Sequence, residues 1–146
     1  MLKTIITASR LILCHSNDLM DYNILEHSVL IPCLEMCSIE KVILDVLAIA
    51  QIDLSSNNTI NYNISRLQNY KVKFDRRRLQ QVLLNMLLNA IKFTKNGAIT
   101  VEVKIIQSFG NKNDKYIQMS VKDEGIGISH HDLPHIFTPF FQSNEE

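Results

Sequence analysis

The sequence predicts an α/β two-layer sandwich: helices on one face of a mixed β-sheet, with one further helix ahead of it. Three observations carry that prediction. Residues 79–94, LQQVLLNMLLNAIKFT, place apolar side chains over nearly the whole helical circumference, with Gln80 the main exception outside one narrow strip. Two runs of period two follow, Ile99 to Ile105 and Ile117 to Val121, as in strands that rest one face on a core. Near the start, Ile5, Ala8, Ile12, His15, Leu19 and Tyr22 trace an a/d-like seam that one helix cannot bury alone.

With 146 residues, the chain suits one domain able to bury roughly 68–70% of its unfolded surface. Fifteen Lys and Arg balance fifteen Asp and Glu, so charge draws the protein neither to nucleic acid nor to an acidic membrane. The dense basic run Arg76 to Arg78 reads as a solvated first helical turn behind an N-capping Asp75. Cys14, Cys33 and Cys37 are odd in number and form no C-x-x-C pair, which predicts reduced thiols in a cytoplasmic setting. Zinc on Cys33, Cys37 and His27 lacks a paired-ligand rhythm. No apolar run reaches the roughly 20 residues of a membrane span, since Asp45 interrupts the greasiest stretch. A soluble module without membrane contact is the expectation.

Along the chain, residues 1 to about 25 read as the first helix, and Pro32 closes off any helix arriving from that side. Leu34 to Met36 suit a short strand. Ser38 stands at an N-cap position ahead of Ile39, Val42, Ile43, Val46, Leu47, Ile49 and Ala50, the buried face of a helix to about Gln51. After the loop Ser55 to Asn58, Ile60, Tyr62 and Ile64 alternate as a half-buried strand, and Tyr70 to Phe74 suit another. The central helix follows, then a turn at Asn96-Gly97 and the two alternating strands joined through Gly110 to Asp114. Continuing the period of two from Val121 points Asp123 inward.

The strip on the central helix holds Gln81, Asn85, Asn89 and Lys92, within an arc of roughly 80°. A helix apolar nearly all round belongs in a core, where an unpaired amide costs on the order of 1–3 kcal/mol. These amides then need partners, either protein groups, as in an Asn ladder, or an anionic ligand with a cation between. Asp123-Glu124-Gly125-Ile126-Gly127-Ile128 follows the last strand directly. Its glycines let the backbone turn sharply and approach a ligand, while the carboxylate accepts a hydrogen bond from an amino group.

The ordered set N-x-x-x-N-A-x-K-F-T, a hairpin, D-x-G-x-G-I, then Ile136-Phe137-Thr138-Pro139-Phe140-Phe141 resembles the ATP-binding domain of sensor histidine kinases, within the Bergerat-fold ATPases. The similarity is strong over 75–142 and covers the N, G1 and F boxes. Upstream, Leu13 to Glu26 looks like the second helix of the family's dimerisation and phosphotransfer bundle, through N-D-L-x-D-[FY]. The resemblance thus divides the chain into 1–27, a bundle helix, and 28–146, a histidine-kinase-type ATP-binding domain. It implies that Asn89 coordinates the Mg²⁺ bridging the phosphates of ATP and that Asn85 helps order that site. Lys92 would reach a phosphate, Phe93 line the nucleotide pocket and Asp123 read the adenine amino group. Gly125, Gly127 and Ile128 would shape the adenine side and the start of a lid anchored by Phe137 and Phe140. Chaperone, topoisomerase and mismatch-repair members carry a glutamate at the position of Asn85; an asparagine cannot serve as that base. Anti-sigma serine kinases and mitochondrial dehydrogenase kinases share the fold.

Two family parts have no counterpart in this sequence, the phosphoaccepting histidine box and the second glycine box. His15 precedes Ser16-Asn17-Asp18 without a nearby proline and reads as a packing residue, and His131 and His135 lack the Glu of a zinc helix, with Pro134 between them. The implied function is binding of Mg-ATP for phosphoryl transfer to a histidine outside this chain, in a phosphorelay with a response-regulator receiver domain. The chain alone would be inactive, with weak nucleotide affinity, poor solubility and an open sheet edge. The alternative is a non-catalytic remnant that dimerises with, or inhibits, a kinase chain through residues 5–22.

Overall fold

The computed structural model describes Ser9 and residues 31–54, 57–64, 67, 70–107, 115–139 and 141. The predicted helix of residues 1–27, apart from Ser9, and the lid residue Phe140 lie outside the described residues, and the seam proposed for dimerisation lies there with them.

Capping fixes where both described helices begin. Ser38 accepts the backbone N–H of Lys41 at 3.3 Å and starts α1, Ile39–Asp53. Asp75 does the same for α2, Arg76–Phe93, taking the Arg78 N–H on Oδ1 at 3.2 Å. Its other oxygen accepts the Cys33 N–H at 2.9 Å. Those two backbone donors, led by Cys33, hold the Asp75 carboxyl below the usual carboxylate range. Cys33 and Cys37 are both free thiols, and desolvation followed by the neighbouring Glu35 pushes Cys37 up.

A strand leads straight into each helix. β1, Glu35–Ser38, ends at the cap of α1, and β3, Lys71–Phe74, ends one residue before α2. These four-residue stubs pair antiparallel with each other, Glu35 opposite Phe74 and Ser38 opposite Lys71. The single sheet expected from the sequence is therefore a main sheet plus this ribbon, because strands tied so closely to helix starts have no length left to reach the main ladder.

The main sheet has the order β2-β4-β5, from β2 (Asn58–Asn63), β4 (Gly97–Gln107) and β5 (Lys115–Asp123). β2 runs parallel to β4, with Asn58 opposite Gly97; β5 returns antiparallel, with Asp123 opposite Ile99. Ile99, Val101 and Val103 are buried on one face, while Thr100 and Lys104 are exposed on the other. Both helices lie on the apolar face. Ile39, Ile43, Val46, Leu47 and Ala50 of α1 join Leu83, Leu87 and Ala90 of α2 and the β4 residues in one core, to which Ile64 and Leu67 add. Among the described residues, no helix is long and apolar enough to cross a membrane.

Burial departs from the sequence-based expectation at three places. α2 is buried on one face only: Val82 is 56% and Met86 39% exposed. In two layers a helix has sheet or a neighbouring helix on one side and solvent on the other, whatever its composition. The amide strip lies opposite Leu83, Leu87 and Ala90 on the helical wheel, with Asn85 half-buried and Asn89 and Lys92 exposed. Tyr62, predicted to face inward, is 49% exposed on the edge strand β2. Asp123 keeps the parity of Val121 but is exposed, because it is the last residue of its strand.

Candidate functional site

The C-terminal end of α2 and the loop after β5 meet in one place. The Ile126 N–H donates to the Phe93 carbonyl at 3.3 Å, while the Thr94 N–H closes the last helical turn on the Ala90 carbonyl at 3.1 Å. Gly125 sits so near this helix end that a Cβ there would stand 2.6 Å from the Phe93 oxygen and 2.8 Å from Asp123 Oδ1. No other residue type fits without moving backbone. The Gly125 N–H in turn donates to Asp123 Oδ1 at 3.0 Å, which orients the carboxylate over the turn. Gly127 is glycine for a different reason: its φ is +74°, with open space where a side chain would be.

The joint places Asp123, Gly125 and Phe93 side by side, although they come from elements 30 residues apart in sequence. Asn89 stands on the same face of α2 one turn before Phe93, roughly 6 Å along the axis, and Asn85 roughly 6 Å further. Lys92 Nζ lies 4.6 Å from the centre of the Phe93 ring, a cation–π contact. Asn89, Lys92, Asp123, Gly127 and Ile128 are exposed and Phe93 is half-buried, so the site is an open ledge along the outer face of α2. Desolvation therefore does not compel these amides to find partners. Their common placement on one face, ending at an acid held beside the helix terminus, is the feature that points to a ligand.

Not every predicted residue joins the ledge. Phe137 is 93% exposed and makes no aromatic contact among the described residues; Ile126 (69%) and Ile128 (55%) also present their side chains to solvent. His131 and His135 have ring centres 6.3 Å apart, and His135 packs on Phe141. Among the described residues no group of three His, Cys, Asp or Glu side chains is arranged to hold a metal. A groove of about 490 Å³ lies elsewhere, between the start of α2 and β5. Its lining, including Phe74, Leu79, Val82, Tyr116 and Met119, is mostly apolar, with Asp75, Arg78 and Lys115 among it, and holds none of the predicted site residues.

Three residues the sequence reading passed over support the ledge from beneath. Glu124 Oε2 accepts the Ala98 N–H at 2.9 Å, tying the loop to the start of β4. The buried Asn58 side chain donates to the Thr94 carbonyl at 2.6 Å, tying the end of α2 to the start of β2. Asn58 Oδ1 and Thr94 Oγ1 are buried without a hydrogen-bond partner among the described residues. Only a buried asparagine at a strand start could have signalled this, and burial there is invisible in sequence.

Comparison with known proteins places this geometry. Residues 74–146 match the family described as histidine kinase-, DNA gyrase B-, and HSP90-like ATPase. The sensor histidine kinase AtsR of Burkholderia thailandensis is 36% identical over 74 residues, covering 51% of this chain and 12% of that protein. The autoinducer 2 sensor kinase/phosphatase LuxQ of Vibrio cholerae is 43% identical over 74 residues, covering 49% and 8%. Hybrid signal transduction histidine kinase A of Dictyostelium discoideum is 30% identical over 152 aligned positions, covering 97% and 7%. The chain thus spans at most 12% of the length of these relatives. Among solved structures, full-length ShkA in complex with AMPPNP superposes with a TM-score of 0.67 at 25% identity, covering 88% of this chain and 27% of ShkA. The Acinetobacter baumannii histidine kinase AdeS shares the fold, with a TM-score of 0.64 at 21% identity over 90% of this chain and 62% of AdeS.

Proposed function

The chain belongs to the histidine kinase-, DNA gyrase B-, and HSP90-like ATPase family, and from that premise we propose that the ledge binds Mg-ATP as the nucleotide module of a histidine protein kinase. The observation that carries this reading is the docking of the Gly125-Ile126 backbone on the Phe93 carbonyl, which sets Asp123 beside the face that bears Asn89 and Asn85. The relatives named as histidine kinases and the AMPPNP complex of ShkA favour the same reading.

Each residue has a task that its chemistry suits. Asp123, held by the Gly125 N–H, retains acceptor capacity for the amino group of adenine, since a carboxylate offers about four acceptor positions. Gly125, Gly127 and Ile128 leave a turn with little side chain on the purine side, and Phe93 supplies an aromatic flank. Lys92 would bring a cation to a phosphate, which its exposure and long stem allow. Phe137 and Phe140 would anchor a lid over the ledge.

The donor set also suits magnesium. Mg²⁺ takes one or two protein oxygens and fills its octahedron with phosphate oxygens and water, and the exposed carboxamide of Asn89 is such a neutral oxygen donor, with Asn85 to order it. A bound ion would supply neutralisation of the charge on the phosphates during transfer. The chain's own part is to position: Asn89 and Lys92 at the phosphates, Asp123 and the glycine turn at the base. Asn85 cannot take a proton from water, so the reading is phosphoryl transfer to protein and not hydrolysis. The acceptor would be a histidine outside this chain and the next partner a receiver domain, while residues 1–27 would form a bundle helix ahead of the ATP-binding unit 28–146.

Titration of the full chain with a fluorescent ADP analogue, with and without Mg²⁺, tests the proposal. Saturable, Mg²⁺-dependent binding is expected, weakened at least about tenfold by Asp123→Ala together with Asn89→Ala, as loss of two charge-assisted contacts implies. Equal signals from wild type and double mutant would overturn it.

A further inference from the structure

We propose that Glu124 and Asn58 are positioning residues of the nucleotide site, setting the height of the Asp123–Gly127 turn over the end of α2; the inference rests on the Mg-ATP reading above. Neither residue has a place in that reading as a ligand contact. Both act on the same short segment, Thr94 to Ala98, which links α2 to β4.

Geometry makes this segment a common foundation. Phe93 offers its carbonyl to Ile126 and crowds Gly125, so wherever the end of α2 stands, the turn stands. The very next carbonyl, Thr94, is held by Asn58 Nδ2 at 2.6 Å in a buried hydrogen bond. Asn58 also lies opposite Gly97 in the β2–β4 ladder, so one residue fixes the segment at its start and near its finish. From the loop side, Glu124 reaches down to the Ala98 N–H at 2.9 Å. Gly97 makes room for that reach: a Cβ there would meet Glu124 Cβ and Oε2 at 3.1 Å and Thr94 Cγ2 at 3.3 Å.

The loop is therefore attached twice, through the Ile126 N–H to the helix end and through the Glu124 carboxylate to the strand start. Asn58 locks these two attachment points to each other. A turn held at one point can pivot, whereas a turn held at two can only translate with its base. The second attachment fixes the direction of Asp123 relative to Asn89, and that direction is what a purine bridging the two requires. Asn58 is the costlier residue to lose, because its bond to the carbonyl of Thr94, a residue only 3% exposed, is buried.

The test pairs Glu124→Ala with Glu124→Gln and adds Asn58→Ala, all in the full chain and well below each variant's melting temperature. Two signals are read: amide hydrogen exchange at Ile126 without nucleotide, and the dissociation constant of the fluorescent ADP analogue with Mg²⁺. Glu124→Ala should speed exchange at Ile126 and weaken the analogue about fivefold each, as loss of one partly solvated, charge-assisted bond implies. Glu124→Gln should restore both, since its carboxamide oxygen still accepts from Ala98, and protection across β4 and β5 should not change. Asn58→Ala should exceed Glu124→Ala in both signals; if it does not fold, the Glu124 pair decides. Unaltered exchange at Ile126 and unaltered affinity in Glu124→Ala overturn this inference alone. A wild-type chain that binds no nucleotide overturns the Mg-ATP reading and this inference with it.

Discussion

The two ends of α2 are built from similar polar material and put it to opposite uses. At the N-terminal end the carboxylate of Asp75 accepts the Arg78 and Cys33 backbone N–H groups. Beside it, Arg76 pairs with Asp45 of α1 at 2.7 Å. At that end the charges serve the fold. At the C-terminal end a loop from another part of the chain brings an acid, two glycines and a bare turn to the Phe93 carbonyl, while Asn89 and Lys92 stand in solvent. The arginine run 76–78, which reads in sequence as a solvated first turn, stands behind the Asp75 cap, with Arg76 paired to Asp45. The modest amides and single lysine at the other end belong to the proposed site, because the fold places them together and leaves Asn89 and Lys92 accessible.

If this contrast is right, substitutions at the two ends should separate binding from stability. The largest effect belongs to Gly125→Ala. Its Cβ would stand 2.6 Å from the Phe93 oxygen, so the turn must lift from the helix end. Nucleotide affinity should fall by well over about tenfold, since displacement of a positioned group by about 1 Å can cost that much or more. The melting temperature should change little, and a Gly125→Ala chain that binds as wild type would break the comparison.

Asp75→Ala should do the reverse, lowering the melting temperature by several degrees and leaving nucleotide affinity unchanged. Acid sharpens this prediction. The folded-state pKa of Asp75 is lowered, so in the window between it and the unfolded value of about 3.9 the unfolded chain binds more protons. The contribution of Asp75 is then fully present above about pH 4 and is lost as pH falls through the lowered folded value. Denaturant titrations along a pH series should show a flatter acid limb in Asp75→Ala than in wild type. Parallel curves would assign the acid sensitivity to other carboxylates.

The smallest effect belongs to Arg76→Ala. The Arg76 and Asp45 side chains are 38% and 40% exposed, and a pair so solvated contributes at most about 1 kcal/mol. A loss larger than about 1 kcal/mol in chemical denaturation would mean that the bridge clamps the helices together, a role beyond that of a surface pair.

Much of this molecule was legible before its structure. Ser38 and Asp75 announce both helix starts, because a cap and the N–H it satisfies lie three residues apart. The alternation of Ile99, Val101 and Val103 against Thr100, Glu102 and Lys104 fixes β4 and its inner face. Asp123-x-Gly125-x-Gly127 is readable as a sharp turn, and Gly125 is the residue on which the joint depends. The burial of α2 was not legible: Val82 and Met86 suggest a core helix as strongly as Leu83 and Leu87 do, and only the number of layers decides which of them face water. Asn58 reads as loop in the sequence, since nothing in its neighbours tells of a carbonyl 36 residues away that takes its amide hydrogen bond.

The sequence by itself determined the elements, their caps, the order of the motifs and the family they resemble, because periodicity and capping are interactions within a few residues along the chain. Tertiary structure alone decided that the amide strip is an open ledge, that Asp123 stands at its end and that Asn58 and Glu124 brace the turn above it. Those outcomes depend on strand register and layer count, and both are set by contacts between segments that carry no mark of one another in sequence.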